Sequence, residues 1–175
     1  MGQELSQGQV AELKGRDVAE AAYERVLGYL SHRPRSAREV ARYLSRRDVP
    51  DEAIEDVLAR LERARLVDDA EFARFWVENR RSFRPKGLWA LRAELRQKGV
   101  ASEVIESVLE GIDEEDEAMS AGTRAVRRFA HLDETTFRHR LLGYLQRRGF
   151  AFDVSRRVVD HLWSEVEAQR QVDAG

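Results

Sequence analysis

Apolar residues return one, three and four positions apart along most of this chain, the spacing of helices that bury one face. One stretch carries Ala22, Tyr23, Val26, Leu27 and Leu30, a second Phe72, Ala73 and Trp76, and a third Ala118, Ala125, Val126 and Phe129. No segment alternates with a period of two, so no strand is predicted. The same punctuation follows each stretch. A leucine, two variable residues, a base, Gly or Asp, an apolar residue and then Pro or Ala occur at Leu44–Pro50, Leu95–Ala101 and Leu145–Ala151. The copies lie about fifty residues apart, and the apolar positions after them match: Ala53, Val57 and Leu58; Val104, Val108 and Leu109; Val154, Val158 and Val159. Self-similarity at a fixed period means one supersecondary unit stacked on copies of itself.

The punctuation has a physical reading. A cation suits the negative end of a helix, and Gly enters the left-handed conformation of a helix terminus cheaply. Asp48 takes the glycine place in the first copy, and Asp tolerates that conformation better than most residues. The next helix is expected to start at Pro50, Ala101 or Ala151, since Pro is welcome in a first turn. Ser36 with Glu39 forms a capping box, Asp68 with Glu71 its Asp variant, and Asp133 is a further N-cap. Gly28, Gly122 and Gly143 fall inside the helical pattern. Each repeat therefore reads as three helices, over 19–67, 68–112 and 113–167. Residues 1–18 carry three Gly and little periodicity, and read as a disordered tail; 168–175 read as a frayed end. The expected fold class is all-α, with three tandem three-helix repeats in an elongated array.

Composition narrows the function. Charged residues make up 35% of the chain, which suits short amphipathic helices with much surface. The chain has no cysteine, so disulfides, a thiol nucleophile and sulfur-ligated zinc are excluded. No apolar run is long enough to span a membrane and the N-terminus has no signal-peptide core, so a cytoplasmic location is expected.

A net charge of −2 hides segregation. Arg80, Arg81, Arg84, Lys86, Arg92, Arg96 and Lys98 are opposed within 80–98 by Glu94 alone. Glu103, Glu106, Glu110, Asp113, Glu114, Glu115, Asp116 and Glu117 form an acidic block without a base. Arg124, Arg127, Arg128, Arg138, Arg140, Arg147 and Arg148 follow, against Asp133 and Glu134. Such blocks either steer a charged partner or are solvated faces neutralised by acids of the next repeat. The candidate partner- or DNA-binding residues are Arg80, Arg81, Arg84, Lys86, Arg92, Arg96 and Lys98, with Arg147 and Arg148 at the matching place of the third repeat.

No catalytic constellation is legible, and no enzyme activity, cofactor or metal site is expected. His32, His131, His139 and His161 make no HExxH pair and no i, i+4 pair; His161 reads as a core edge or a helix cap. The acids at 113–117 lack the Gly and spaced oxygens of a calcium loop and read as a helix start. Gly87 and Gly99 are isolated, so there is no phosphate loop. Arg84-Pro85-Lys86-Gly87 is a turn whose cations stay free to bind. Phe72 and Trp76 read as core, while Phe75 and Trp89 are as open to base stacking as to packing.

The segment Leu66-Val67-Asp68-Asp69-Ala70-Glu71-Phe72-Ala73, followed by Arg80, Lys86-Gly87, Leu91, Glu94-Leu95, Lys98-Gly99-Val100 and Arg147-Arg148-Gly149-Phe150, resembles the RecX family of bacterial recombinase regulators. The likeness runs over about 19–165, and the combination at these spacings is specific. Asp48 departs from the usual Gly of the first repeat, and Trp89 lies in a region that varies. The resemblance implies a curved array and a non-enzymatic modulator of RecA. Family members lie along the groove of the RecA–DNA filament and inhibit strand exchange, ATP hydrolysis and co-protease activity, limiting recombination and the SOS response. It implies the RecA filament as partner, with weaker single- or double-stranded DNA binding in addition and a monomeric state. Two other classes stay open. A tight turn joins helices two and three of each repeat, as in a helix-turn-helix DNA-binding regulator, but the helix over 102–110 is acidic and phosphate would repel it. A helical scaffold for another protein partner is the second.

Overall fold

The computed structural model describes the backbone of residues 7–173 and the side chains of residues 14–173. The described residues form nine helices and no strand: α1 (Gln7–Leu30), α2 (Ala37–Ser45), α3 (Asp51–Arg63), α4 (Asp69–Phe83), α5 (Leu88–Gln97), α6 (Ser102–Leu109), α7 (Glu114–Val126), α8 (Glu134–Arg147) and α9 (Phe152–Asp173).

The repeat is visible in the buried positions. The middle helix of each repeat buries a pair one turn apart: Val40 and Leu44 on α2, Leu91 and Leu95 on α5, Leu141 and Leu145 on α8. This i, i+4 spacing sets both side chains on one face. A left-handed residue then reverses the chain at Asp48 (φ 56°), Gly99 (φ 86°) and Gly149 (φ 84°). The apolar residue after it, Val49, Val100 or Phe150, is buried. A second left-handed position follows the third helix, at Arg65 (φ 54°) and Gly111 (φ 77°).

The chain divides into two compact units. The first runs to Phe75 and includes Lys98–Val104; the second comprises Trp76–Gln97 and the chain from Ile105 onward. The boundaries fall inside α4 and α6, so the residues of the middle repeat are shared between them. In the first unit α1 packs on α3 and α2, around Val26, Val40, Leu44, Val57 and Leu61. Tyr29 and Tyr43 stack with centroids 4.1 Å apart. Arg35 lies over Tyr29 and Arg47 over Tyr43, at 3.9 and 3.7 Å. With one ring face taken by the other tyrosine, each guanidinium must cover the outer face, so the four side chains form one pile pinning α1 to α2. In the second unit α7, α8 and α9 pack mutually around Phe137, Leu141, Leu145, Val158 and Leu162, with Trp163 tilted onto Phe137. Gly122 lets α9 approach α7 closely, since a methyl group there would lie 2.6 Å from Leu162.

The caps form as expected. Ser36 and Glu39 complete a capping box, Asp68 accepts from Ala70 and Glu71, and Asp133 accepts from Thr136. Several boundaries and burials differ. α1 starts at Gln7, so residues 7–18 are helical rather than a disordered tail; residues 1–6 lie outside the described residues. Residues 14–18 are exposed, so no apolar face marked this extension, which lengthens a helix already anchored by Ala19, Ala22 and Val26. α9 likewise reaches Asp173, through the stretch read as frayed, with its last turns exposed. Third helices start one residue later than expected. Pro50 is the N-cap of α3, with ψ 146°, and α6 and α9 begin at Ser102 and Phe152. Leu27 is 40% exposed, because the buried stripe of α1 runs through Ala19, Ala22 and Val26 and leaves it to one side.

Candidate interaction surface

The candidate cations are divided among separate acids. In the first unit Glu39 is the centre. Its carboxylate accepts from Arg33 at 3.0 and 3.1 Å and from Lys98 at 2.7 Å. Burial opposes its charge, but these hydrogen bonds and the two cations outweigh it and hold Glu39 at a pKa of about 2. Lys98 sits just past α5, in the turn, and its carbonyl accepts from Ser36 Oγ at 2.7 Å.

In the second unit Glu94 has the corresponding role. It accepts from Trp76 Nε1 at 2.8 Å, from Arg80 Nε at 2.9 Å and from Lys86 Nζ. Burial again raises its pKa, and the bonds from Arg80, Lys86 and Trp76 lower it further than burial lifts it. Arg80 also lies 4.4 Å over the Trp76 ring. Arg81 Nε meets Glu117, itself only 8% exposed, at 2.6 Å. Arg92 grips Glu106 with a fork at 2.8 to 3.2 Å. Arg148 donates to the Pro85 carbonyl at 3.0 Å and lies 4.7 Å over Tyr144. Arg84, Arg96 and Arg147 are exposed and make no side-chain hydrogen bond or ion pair. Six of the nine candidates are thus committed to partners within the fold and three are open to solvent.

Two seams join successive repeats by the same geometry. In the first unit the Ala37 amide, at the start of α2, donates to Asp69 Oδ1 of α4 at 2.9 Å. In the second unit the Leu88 amide, at the start of α5, donates to Glu114 Oε1 of α7 at 3.0 Å. Asp69 and Glu114 each open the first helix of the following repeat and cap the middle helix of the preceding one. The turns match as well: Ser36 bonds the Lys98 carbonyl, and the Gly87 amide bonds the Arg148 carbonyl at 3.0 Å. The acidic block is therefore largely structural. Asp113 caps α7, Glu114 caps α5, Glu115 holds Arg157 at 2.8 Å and Glu117 holds Arg81.

Of the aromatic candidates, Phe72 is fully buried and Trp76 is half-buried over Glu94. Phe75 is half-buried, and Trp89 is 74% exposed. Among the described residues no group of His, Asp and Glu could hold a metal ion, and no helix is long and apolar enough to cross a membrane.

Sequence models of the first, second and third three-helix domains of RecX match residues 22–61, 68–109 and 113–159 in that order. This chain belongs to the RecX family. The regulatory protein RecX of Prosthecochloris aestuarii is 37% identical over 81% of this chain and 93% of its own length. That of Streptomyces coelicolor is 37% identical over 82% and 78%. A crystal structure of regulatory protein RecX superposes with a TM-score of 0.78 at 28% identity, over 91% of this chain and 80% of the other. RecX from Lactobacillus salivarius, at 21% identity and a TM-score of 0.73, shares the fold over 84% and 97%. The RecX matches place one three-helix domain on each copy of the sequence repeat, so the tandem all-α repeat fold read from the sequence holds.

Proposed function

We propose that this chain is a negative modulator of RecA. It lies in the groove of the RecA–DNA filament and inhibits strand exchange, ATP hydrolysis and co-protease activity, and thereby limits recombination and the SOS response. The observation that supports this best is repetition. Three matched RecX domains are joined by one seam used twice, so similar surfaces recur along the chain. A helical polymer presents its own subunits repeatedly, and several weak contacts to it add into avidity without a deep pocket. Arg84, Arg96 and Arg147 are the first cations to contact the filament, because no internal acid must be given up to free them. DNA phosphate within the filament is a further partner for them. The repeats 19–67, 68–112 and 113–167 are the binding modules of a cytoplasmic, monomeric protein that performs no catalysis.

The test is the DNA-dependent ATPase of RecA on single-stranded DNA, with and without this protein. ATP hydrolysis and filament extension should fall at amounts below one protein per RecA subunit. The protein alone should neither hydrolyse nucleotide nor cut DNA. Unchanged filaments at every ratio in low salt would remove the reading.

A further inference from the structure

Trp89 has no structural use that its neighbours do not already fill. On α5 the buried pair is Leu91 and Leu95, and the side chain against the turn at Gly149 is Ala90. The equivalent residue of the first repeat, Arg38, lies across its turn glycine, Gly99. Trp89 instead stands in solvent at the edge of a groove of about 430 Å³ within the second unit. Leu88, Phe150, Ala151 and the stem of Gln146 line it, and Phe152, 58% exposed, follows directly on Ala151. An indole is the side chain whose exposure is least favourable by area, and Trp with Arg is enriched where partners are anchored.

The charges about the groove select the partner. Two ionised groups in its wall are committed: Arg92 to Glu106 and Glu114 to the Leu88 amide. At the seam beside it, Arg148 is bonded to Pro85 and Gly87 to Arg148. That contact brings together the two strands of chain that carry the free guanidiniums, Arg84 next to Pro85 and Arg147 next to Arg148. We infer that the groove is a docking site for an acidic protein segment that inserts one apolar side chain against Trp89 and Phe150 and places carboxylates on Arg84 and Arg147. A nucleic-acid strand fits less well, because its phosphates would meet the Glu114 carboxylate in the wall. The inference rests on the reading above for its partner, the RecA protein of the filament, and adds which face of this chain meets it.

Trp89→Ala, Phe152→Ala, Trp89→Phe and the pair Arg84→Glu with Arg147→Glu are each titrated onto RecA filaments on single-stranded DNA, and onto a bare oligothymidine. Circular dichroism confirms that helicity is kept. Trp89→Ala should weaken filament binding about tenfold or more while leaving its salt dependence unchanged, with Trp89→Phe retaining most of the affinity. The double reversal should weaken binding and flatten the salt dependence. Oligothymidine binding should be the same for Trp89→Ala and wild type. Wild-type affinity in both Trp89→Ala and Phe152→Ala overturns the docking site while the functional reading stands. An equal loss on filament and oligothymidine makes Trp89 a base-stacking residue and overturns the protein-docking assignment. A wild-type protein that binds no filament overturns the functional reading and the assignment together.

Discussion

The amide of Gly87 donates to the carbonyl of Arg148, and a methyl group on Gly87 would overlap the Gly149 carbonyl. Two backbones meet here with no side chain between them. Gly87 is also the N-cap of α5, since its own carbonyl accepts from Leu91 at 3.1 Å. Gly87→Ala must therefore part the seam and loosen the start of α5 at once. The expected loss is about 2 kcal/mol or more, read as a lower denaturant midpoint, whereas Ala at Gly28, where a methyl group meets open space, should be neutral or stabilising.

Ser155 is fully buried and its hydroxyl has no hydrogen-bond partner. The aligned residues of the other repeats are Ile54 and Ile105, both buried. Desolvating an unpaired hydroxyl costs stability that an apolar side chain of similar size does not incur. Ser155→Ala should raise stability by about 1 kcal/mol, and a lower melting temperature would show that the hydroxyl is satisfied after all.

Glu39 sets an acid limit on the first unit. Its folded pKa of about 2 lies below the ordinary 4.5, so its charge contributes stability above the unfolded value. That contribution is lost as pH falls from about 4.5 to about 2. Carboxyl titration followed by NMR should find Glu39 near 2, and Glu39→Gln should be less stable than wild type at pH 7 with the difference closing in that acid window.

Arg81 and Arg84 are three residues apart and should behave differently. Arg81→Glu sets a carboxylate against the buried Glu117 and should cost about 1 to 3 kcal/mol. Arg84→Glu touches no partner and should change stability by less than about 0.5 kcal/mol. Thermal melts of the two variants, alongside filament binding, separate a cation that holds the fold from one that is free to meet RecA.

The fold was legible because its signals are local and repeated. Val40 and Leu44, Leu91 and Leu95, and Leu141 and Leu145 announce the middle helices, while Asp48, Gly99 and Gly149 mark the turns. The charged surface was harder to read, because ion pairing depends on residues distant in sequence. Arg81 and Glu117 are 36 positions apart, and Lys98 and Glu39 are 59 apart. One clue was present: a single acid among seven bases, Glu94, is where Arg80, Lys86 and Trp76 converge. The inter-repeat caps at Asp69 and Glu114 were hidden for another reason. Each stands beside a conventional cap, Asp68 or Asp113, and reads as part of the same acidic helix start.

The turn residues carry a direction. Gly99 and Gly149 are glycine for two reasons, a left-handed backbone and a neighbour, Arg38 or Ala90, lying where a side chain would begin. Asp48 shares the backbone conformation but is exposed and bears a side chain. A glycine at this place therefore marks a socket into which the preceding repeat plugs, and a residue with a side chain marks a face left unplugged. The order of modules is written into a single atom, present or absent, at one position per repeat. Any rearrangement that moved the Asp48 copy inward would fail at assembly even though each helix still formed.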